Sequence, residues 1–173
     1  MLKLIRYFTL VGIYCAMAFA LFSCKIYSFT GASIPPQAKT VSVAYFVNNA
    51  PVKQPMLSQL LTEALKNKLQ SQTTLSLVNS IGDLDFTGEI TAYSIQPMAI
   101  QANETAALNR LTITVSVKYT NSFTESQNFE ASFSRYRDYD PSKNNISSIE
   151  LDLIKQINDE LVEDIFNKAL VNW

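Results

Sequence analysis

Residues able to carry out catalytic chemistry are few in this chain. Its 173 residues include no histidine, which excludes Ser-His-Asp triads, Cys-His dyads and His-ligated metal sites. The remaining candidate is the pair Asp83 and Asp85, because carboxylates at i and i+2 share one strand face and can do acid–base work or bind a hard cation. A carboxylate-based hydrolase is therefore one hypothesis. Both acids follow Ile81-Gly82, where a turn favours solvated acids, and we expect no enzyme, no cofactor and no metal site.

The N-terminus carries the most specific chemical signal. Lys3 and Arg6 precede residues 7–21, which lack charge and are too short for a bilayer-spanning helix of about 20 residues, but typical of a signal peptide. The segment ends in Leu21-Phe22-Ser23-Cys24, which resembles the lipobox of bacterial lipoproteins, where the cysteine receives a diacylglyceryl group and becomes the new N-terminus. We predict a signal peptide over residues 1–23, a lipidated Cys24 with an extended tether over 24–40, and a single domain over 41–173.

Location and partner class follow from the residues around this signal. The residue after the cysteine is Lys25 and not aspartate. By the sorting rule of proteobacterial lipoproteins, this implies the outer membrane, and we expect the chain on its periplasmic side. Cys15 lies within the signal peptide, so the mature chain keeps one cysteine and no intrachain disulfide. The formal net charge is −1 without a basic cluster, which argues against a nucleic-acid partner.

Hydrophobic periodicity predicts the element order β-α-β-β-β-β-α. The β-branched and aromatic run over residues 41–47 predicts a strand covered on both faces. Apolar residues from Leu57 to Leu69 recur on one face of a helix, and Ser147 and Glu150 match a capping box that begins a second helix. Strands are also predicted over residues 74–79, from residue 84 with a bulge near Tyr93, over residues 110–119 and over residues 128–136.

These elements favour an α+β fold, a two-layer sandwich in which both helices cover one face of a mostly antiparallel sheet of four to five strands. The opposite sheet face would be open and polar. Strand alternation places on it Thr112, Thr114, Ser116, Ser132 and Ser134, interrupted by Lys118 and Glu130. Small hydroxyl groups desolvate at lower cost than charges, so this face suits a closely fitting partner.

Two segments beside this face each have two interpretations. Residues 101–109 are longer than a tight hairpin needs, and they either carry function or only connect two strands. The run over residues 135–140 mixes cations, aromatics and acids, and it either holds a phosphate or sugar or pairs with itself at the surface. We expect Asn103, Glu104 and Arg110 to extend the open face, with Arg110 placed to pair with a partner carboxylate.

Several stretches resemble the LptE-like lipopolysaccharide-assembly lipoproteins of Bacteroidetes. They are the lipobox, residues 27–36, residues 103–112 with the sequence NETAALNRLT, residues 133–136 and residues 165–168. The resemblance extends over nearly all of the mature chain. It implies two helices on a sheet, and an outer-membrane lipoprotein that plugs the LptD β-barrel, assists its assembly and helps to pass lipopolysaccharide to the cell surface.

The open face supplies the candidate contacts for such a role. The partner-interface residues are predicted to be Asn103, Glu104, Arg110, Thr112, Thr114, Ser116, Ser132 and Ser134. Basic residues are credited with lipopolysaccharide contacts in enterobacterial relatives, and the candidates here are Arg110, Lys118, Arg135 and Arg137. The alternative function is a free-standing, lipid-anchored module that binds a glycan or peptide on its open sheet face.

Overall fold

The computed structural model describes residues 34–98 and 108–171. The predictions for the signal peptide, Cys24, Asn103 and Glu104 lie outside these residues. The strands are β1 (Thr40–Val43), β2 (Val47–Asn48), β3 (Ser76–Leu77), β4 (Leu84–Pro97), β5 (Asn109–Asn121) and β6 (Phe129–Tyr139). The α-helices are α1 (Leu57–Gln72) and α2 (Ile146–Leu170), and a short 3-10 helix covers Glu125–Gln127.

The strands form one six-stranded mixed sheet in the order β3-β1-β4-β5-β6, with β2 also paired to β4. β1 runs parallel to β3 and β4, whereas β4, β5 and β6 form the predicted antiparallel meander. The buried faces of both helices join the sheet in one hydrophobic core. The predicted α+β sandwich is therefore confirmed, with six strands because one predicted strand divides into two.

That division occurs within residues 41–47, where the prediction of one strand covered on both faces is wrong. Phe46 is fully buried, and its backbone N–H donates to Thr62 Oγ1 of α1 at 3.1 Å. Its ring packs against Gly88, where an added Cβ would lie 2.8 Å from it. The neighbouring side chains of Tyr45 and Val47 are 59% and 53% exposed. Burial of Phe46 in the core thus interrupts the pairing with β4, so that residues 41–47 form two short strands, β1 and β2, instead of one.

The long strand β4 follows the predicted alternation and the predicted bulge. Leu84, Phe86 and Ile90 are fully buried, the register against β5 shifts between Ile90 and Ala92, and Tyr93 is buried beyond that shift. One extra residue in a strand produces such a shift. Because of the bulge, the side chain of Tyr93 points to the same side of the sheet as those of Leu84, Phe86 and Ile90, and both parts of β4 therefore face the core.

The start of α2 differs from the predicted capping box. The helix begins at Ile146, and the side chain of Asn145 accepts a hydrogen bond from the N–H of Ser147 at 3.1 Å. Asparagine caps helices as well as serine does, so the cap lies two residues earlier than predicted. Glu150 is then free to accept a hydrogen bond from the hydroxyl of Tyr93, which ties the first turns of α2 to β4.

Two ion pairs join α2 to the edge strand β6 and show the relative direction of the two elements. Arg135 of β6 pairs with Asp164, and Arg137 pairs with Glu160, so α2 runs antiparallel to β6. In residues 34–98 and 108–171, neither α-helix is both long and apolar enough to cross a bilayer.

Candidate functional site

The hydroxyl side chains predicted for the open face lie together in the centre of the meander. Thr114 of β5 stands opposite Ser134 of β6, and Ser116 stands opposite Ser132. The hydroxyls of Thr114 and Ser134 are 3.0 Å apart, and Thr112 follows in the next outward position of β5. We call this group, Thr112, Thr114, Ser116, Ser132 and Ser134, the hydroxyl patch.

Arg110 closes one end of the hydroxyl patch. Its guanidinium donates to both carboxylate oxygens of Asp138, at 2.7 and 2.8 Å, and lies 3.6 Å from the ring centroid of Tyr136. The hydrogen bond from Arg110 lowers the pKa of Asp138. A planar guanidinium held by two such contacts is already paired. Arg110 is therefore already paired within the domain, whereas it was predicted to pair with a carboxylate of a partner.

Lys118 lies at the other end, opposite Glu130 of β6. Beside it is a recess of about 320 Å³ lined by Val47, Asn49, Gly88, Glu89, Ser116, Lys118 and Glu130. A Cβ on Gly88 would lie 2.2 Å from the carbonyl oxygen of Ser116. The missing side chain at this position therefore allows β4 and β5 to approach closely. Within the described part of the chain, Lys118 makes no ion pair.

Arg135 and Arg137 do not reach the open face, because they occupy the core-facing parity of β6. Arg135 donates to both carboxylate oxygens of Asp164, each at 2.6 Å. Arg137 donates to Glu160 at 2.5 Å, and this hydrogen bond lowers the pKa of Glu160. The run over residues 135–140 thus pairs with other elements of the domain, α2 and β5, rather than with itself.

Asp83 and Asp85, the pair in the acid–base hypothesis, both accept hydrogen bonds from residues at β1. β4 begins at Leu84, and Asp83 turns toward β1, where it accepts hydrogen bonds from the N–H groups of Lys39 and Thr40 at 2.8 and 2.9 Å. These bonds, the Lys39 bond foremost, lower the pKa of Asp83. Asp85 instead accepts from the hydroxyl of Ser42. Both carboxylates therefore join β1 to β4, and no cluster of three metal-binding side chains occurs in the described residues.

Comparison with known proteins gives one family. A family model described as LptE, lipopolysaccharide-assembly, matches residues 38–169, a range that includes every strand and nearly all of α2. Among curated protein sequences, none matches the chain.

Solved structures with a similar fold include several lipoproteins. A minor lipoprotein from Acinetobacter baumannii is 16% identical with a TM-score of 0.50, covering 76% of this chain and 91% of that chain. A hypothetical protein from Chlamydia trachomatis is 10% identical with a TM-score of 0.51, covering 78% and 99%. Rare lipoprotein B from Shewanella oneidensis is 13% identical with a TM-score of 0.47, covering 75% and 92%. At these identities, the first two show similarity of fold alone.

Proposed function

The chain belongs to the LptE lipopolysaccharide-assembly family, and from this membership we propose that it is an outer-membrane lipoprotein, anchored through Cys24 on the periplasmic side. It associates with an LptD-type β-barrel as a plug and assembly partner in the transport of lipopolysaccharide to the cell surface. The observation that carries the proposal is the family match over residues 38–169, because it includes both the helix layer and the open sheet face.

The hydroxyl patch is the proposed contact with the barrel. Its side chains are short and uncharged, and each hydroxyl can donate and accept a hydrogen bond. A surface of this kind loses its water at lower cost than a charged one. Arg110, Asp138 and Tyr136 flatten one border of the patch by binding each other, so no unpaired charge has to be buried there. This matches a close fit against a polar barrel wall.

A direct contact with lipopolysaccharide is assigned to Lys118. Arg110, Arg135 and Arg137 are each neutralised by a carboxylate of the same domain, and phosphate groups of the lipid would have to compete with those pairs. Lys118 is exposed and borders the recess next to Glu89. It is therefore the strongest of the four predicted cations for a phosphate contact.

The test is co-purification of the barrel with a tagged, full-length chain in detergent. The double substitution Thr114→Arg with Ser132→Arg places two cations on the hydroxyl patch, and we expect barrel recovery to be lost while the monomer stays folded. The matched control is Gln59→Arg with Gln70→Arg, because both glutamines are exposed on α1 in the opposite layer. The control should recover the barrel at the wild-type yield.

Two results would contradict the proposal. If the patch variant folds and recovers the barrel at the wild-type yield, the open face is not the interface, and the acidic face of α2 becomes the next candidate. If the wild-type chain recovers no barrel at all, the free-standing module that binds a glycan or peptide on this face is favoured.

A further inference from the structure

Two large apolar side chains are exposed on adjoining loops at one end of the sheet. Ile81 is 86% exposed and Phe123 is 47% exposed. Their loops are joined, because the N–H of Ser122 donates to the carbonyl oxygen of Asp83 at 3.0 Å. We call Ile81 and Phe123 the apolar tip. A single exposed apolar side chain is ordinary at a protein surface, but here two lie on loops joined to each other, and Ile81 gains almost no burial from the domain core.

The apolar tip lies at the end of the sheet where the polypeptide enters the domain. β1 and β4 both begin there, and β5 ends there. The carboxylate of Asp83 binds the N–H groups of Lys39 and Thr40, so the loop that carries Ile81 is fastened to the first residues of β1. The tip and the entering chain therefore face the same side of the molecule.

The length of the tether limits how far this end can lie from the acyl anchor. Nine residues lie between Cys24 and Ile34, and the ten steps that join the two span at most about 36 Å when fully extended. The opposite end of β4, at Pro97, is about 43 Å farther along the strand. An acylated Cys24 would therefore tie the bilayer to the end of the domain that carries the apolar tip.

From this placement we infer that Ile81 and Phe123 insert into the lipid surface beside the acylated cysteine and so orient the domain relative to the membrane. The inference rests on the lipidation of Cys24 proposed above. Other exposed apolar side chains, such as Val52 and Met56, lie in the segment between β2 and α1, away from the tip, because β2 pairs with β4 at Glu89 and Ile90. Asp83 and Glu125 lie in the tip loops, so apolar burial rather than attraction to anionic lipid supplies the contact.

The insertion can be tested by labelling single introduced cysteines, because the mature chain is expected to have no other free thiol. Cys15 lies in the predicted signal peptide and Cys24 is the predicted acylation site, so a cysteine introduced into the full chain is the single free thiol of the mature lipoprotein. Ile81→Cys and Phe123→Cys are labelled with an environment-sensitive fluorophore after reconstitution into phosphatidylethanolamine–phosphatidylglycerol vesicles. Val52→Cys is the matched control, because Val52 is 56% exposed but follows β2, which pairs with β4 away from the tip.

We expect blue-shifted emission at positions 81 and 123, and several-fold stronger quenching there than at position 52 by lipids that carry a nitroxide on the acyl chain. The pattern should persist in high salt, because the contact is apolar. Equal quenching at all three positions in an acylated protein would overturn this inference alone and leave barrel co-purification untouched. An intact mass without acyl groups would overturn both this inference and the proposed anchor.

Discussion

At the scale of single residues, Asn158 is the least satisfied group in the core. It is 1% exposed, and neither atom of its amide has a hydrogen-bond partner among the described residues. A buried amide without a partner costs about 1–3 kcal/mol. Asn158→Leu should therefore raise the free energy of unfolding by about that amount, measured by urea denaturation. A lower stability would show that the amide is satisfied and that the leucine overpacks the site.

The second prediction for a single residue is that Asp83 makes the stability of the fold depend on pH. Hydrogen bonds from Lys39 and Thr40 lower its pKa in the folded protein. A group with a depressed folded pKa contributes stability above its unfolded pKa of about 3.9, and this contribution is lost as the pH falls through the folded value. Asp83→Asn should therefore unfold at a lower urea concentration at pH 7, and the difference from the wild-type chain should shrink at pH 3. A difference independent of pH would contradict this ionic role.

At the scale of elements, the apolar stripe of α1 is the part of the sequence with the clearest structural outcome. Leu57, Leu61, Leu65 and Leu69 are all fully buried. Leu61→Ala removes a fully buried side chain from the middle of that stripe, and such changes cost about 2–5 kcal/mol. We expect a matching fall in the free energy of unfolding. The exposed neighbour Gln59→Ala is the control and should be nearly neutral; an equal effect at both positions would mean that α1 is not docked.

Element boundaries were harder to predict than element types, for local reasons. The break between β1 and β2 depends on the ring of Phe46 fitting over Gly88, which is a tertiary contact that no period of two reveals. The capping-box pattern assigns the α2 cap to Ser147 alone, but Asn145 is an equally good capping residue and is the one used. By contrast, the alternation of side chains along β6 is visible in the sequence. It places Arg135 and Arg137 on the same face as Phe133, which is the face covered by the helices.

At the scale of the whole molecule, the hydroxyl patch was predictable from the sequence, but the ion pairing of Arg110 beside it was not. Alternation alone placed the five hydroxyls on one face. Whether Arg110 was free depended on Asp138 and Tyr136 standing next to it across the strand, and pairing registers are not visible in the sequence of one strand. Side-chain placement followed from local periodicity, whereas neutralisation depended on contacts between segments distant in sequence.

The anchor gives the prediction that concerns the entire protein. Cys24→Ala should leave either an unprocessed precursor or a soluble periplasmic form, because it removes the thiol that the lipobox interpretation assigns as the acceptor of the diacylglyceryl group. Carbonate washing of membranes, followed by intact mass measurement, distinguishes these products from the acylated wild type. Cys15→Ala is the control, and it should be processed and retained normally. An acylated Cys24→Ala chain, or a processed one that stays in the membrane after the wash, would contradict the lipobox interpretation.

The position of β1 in the sheet sets an order of events during folding. β1 is the first strand to be synthesised, yet it lies between β3 and β4, and it cannot be enclosed until residues up to β4 have emerged. The hairpins from β4 to β6 need only neighbouring segments, and contacts between neighbours in sequence form faster than distant ones. The newborn N-terminal strand must therefore wait with its apolar face and both edges unpaired. Until the later segments arrive, those unpaired edges can pair with strands of other chains.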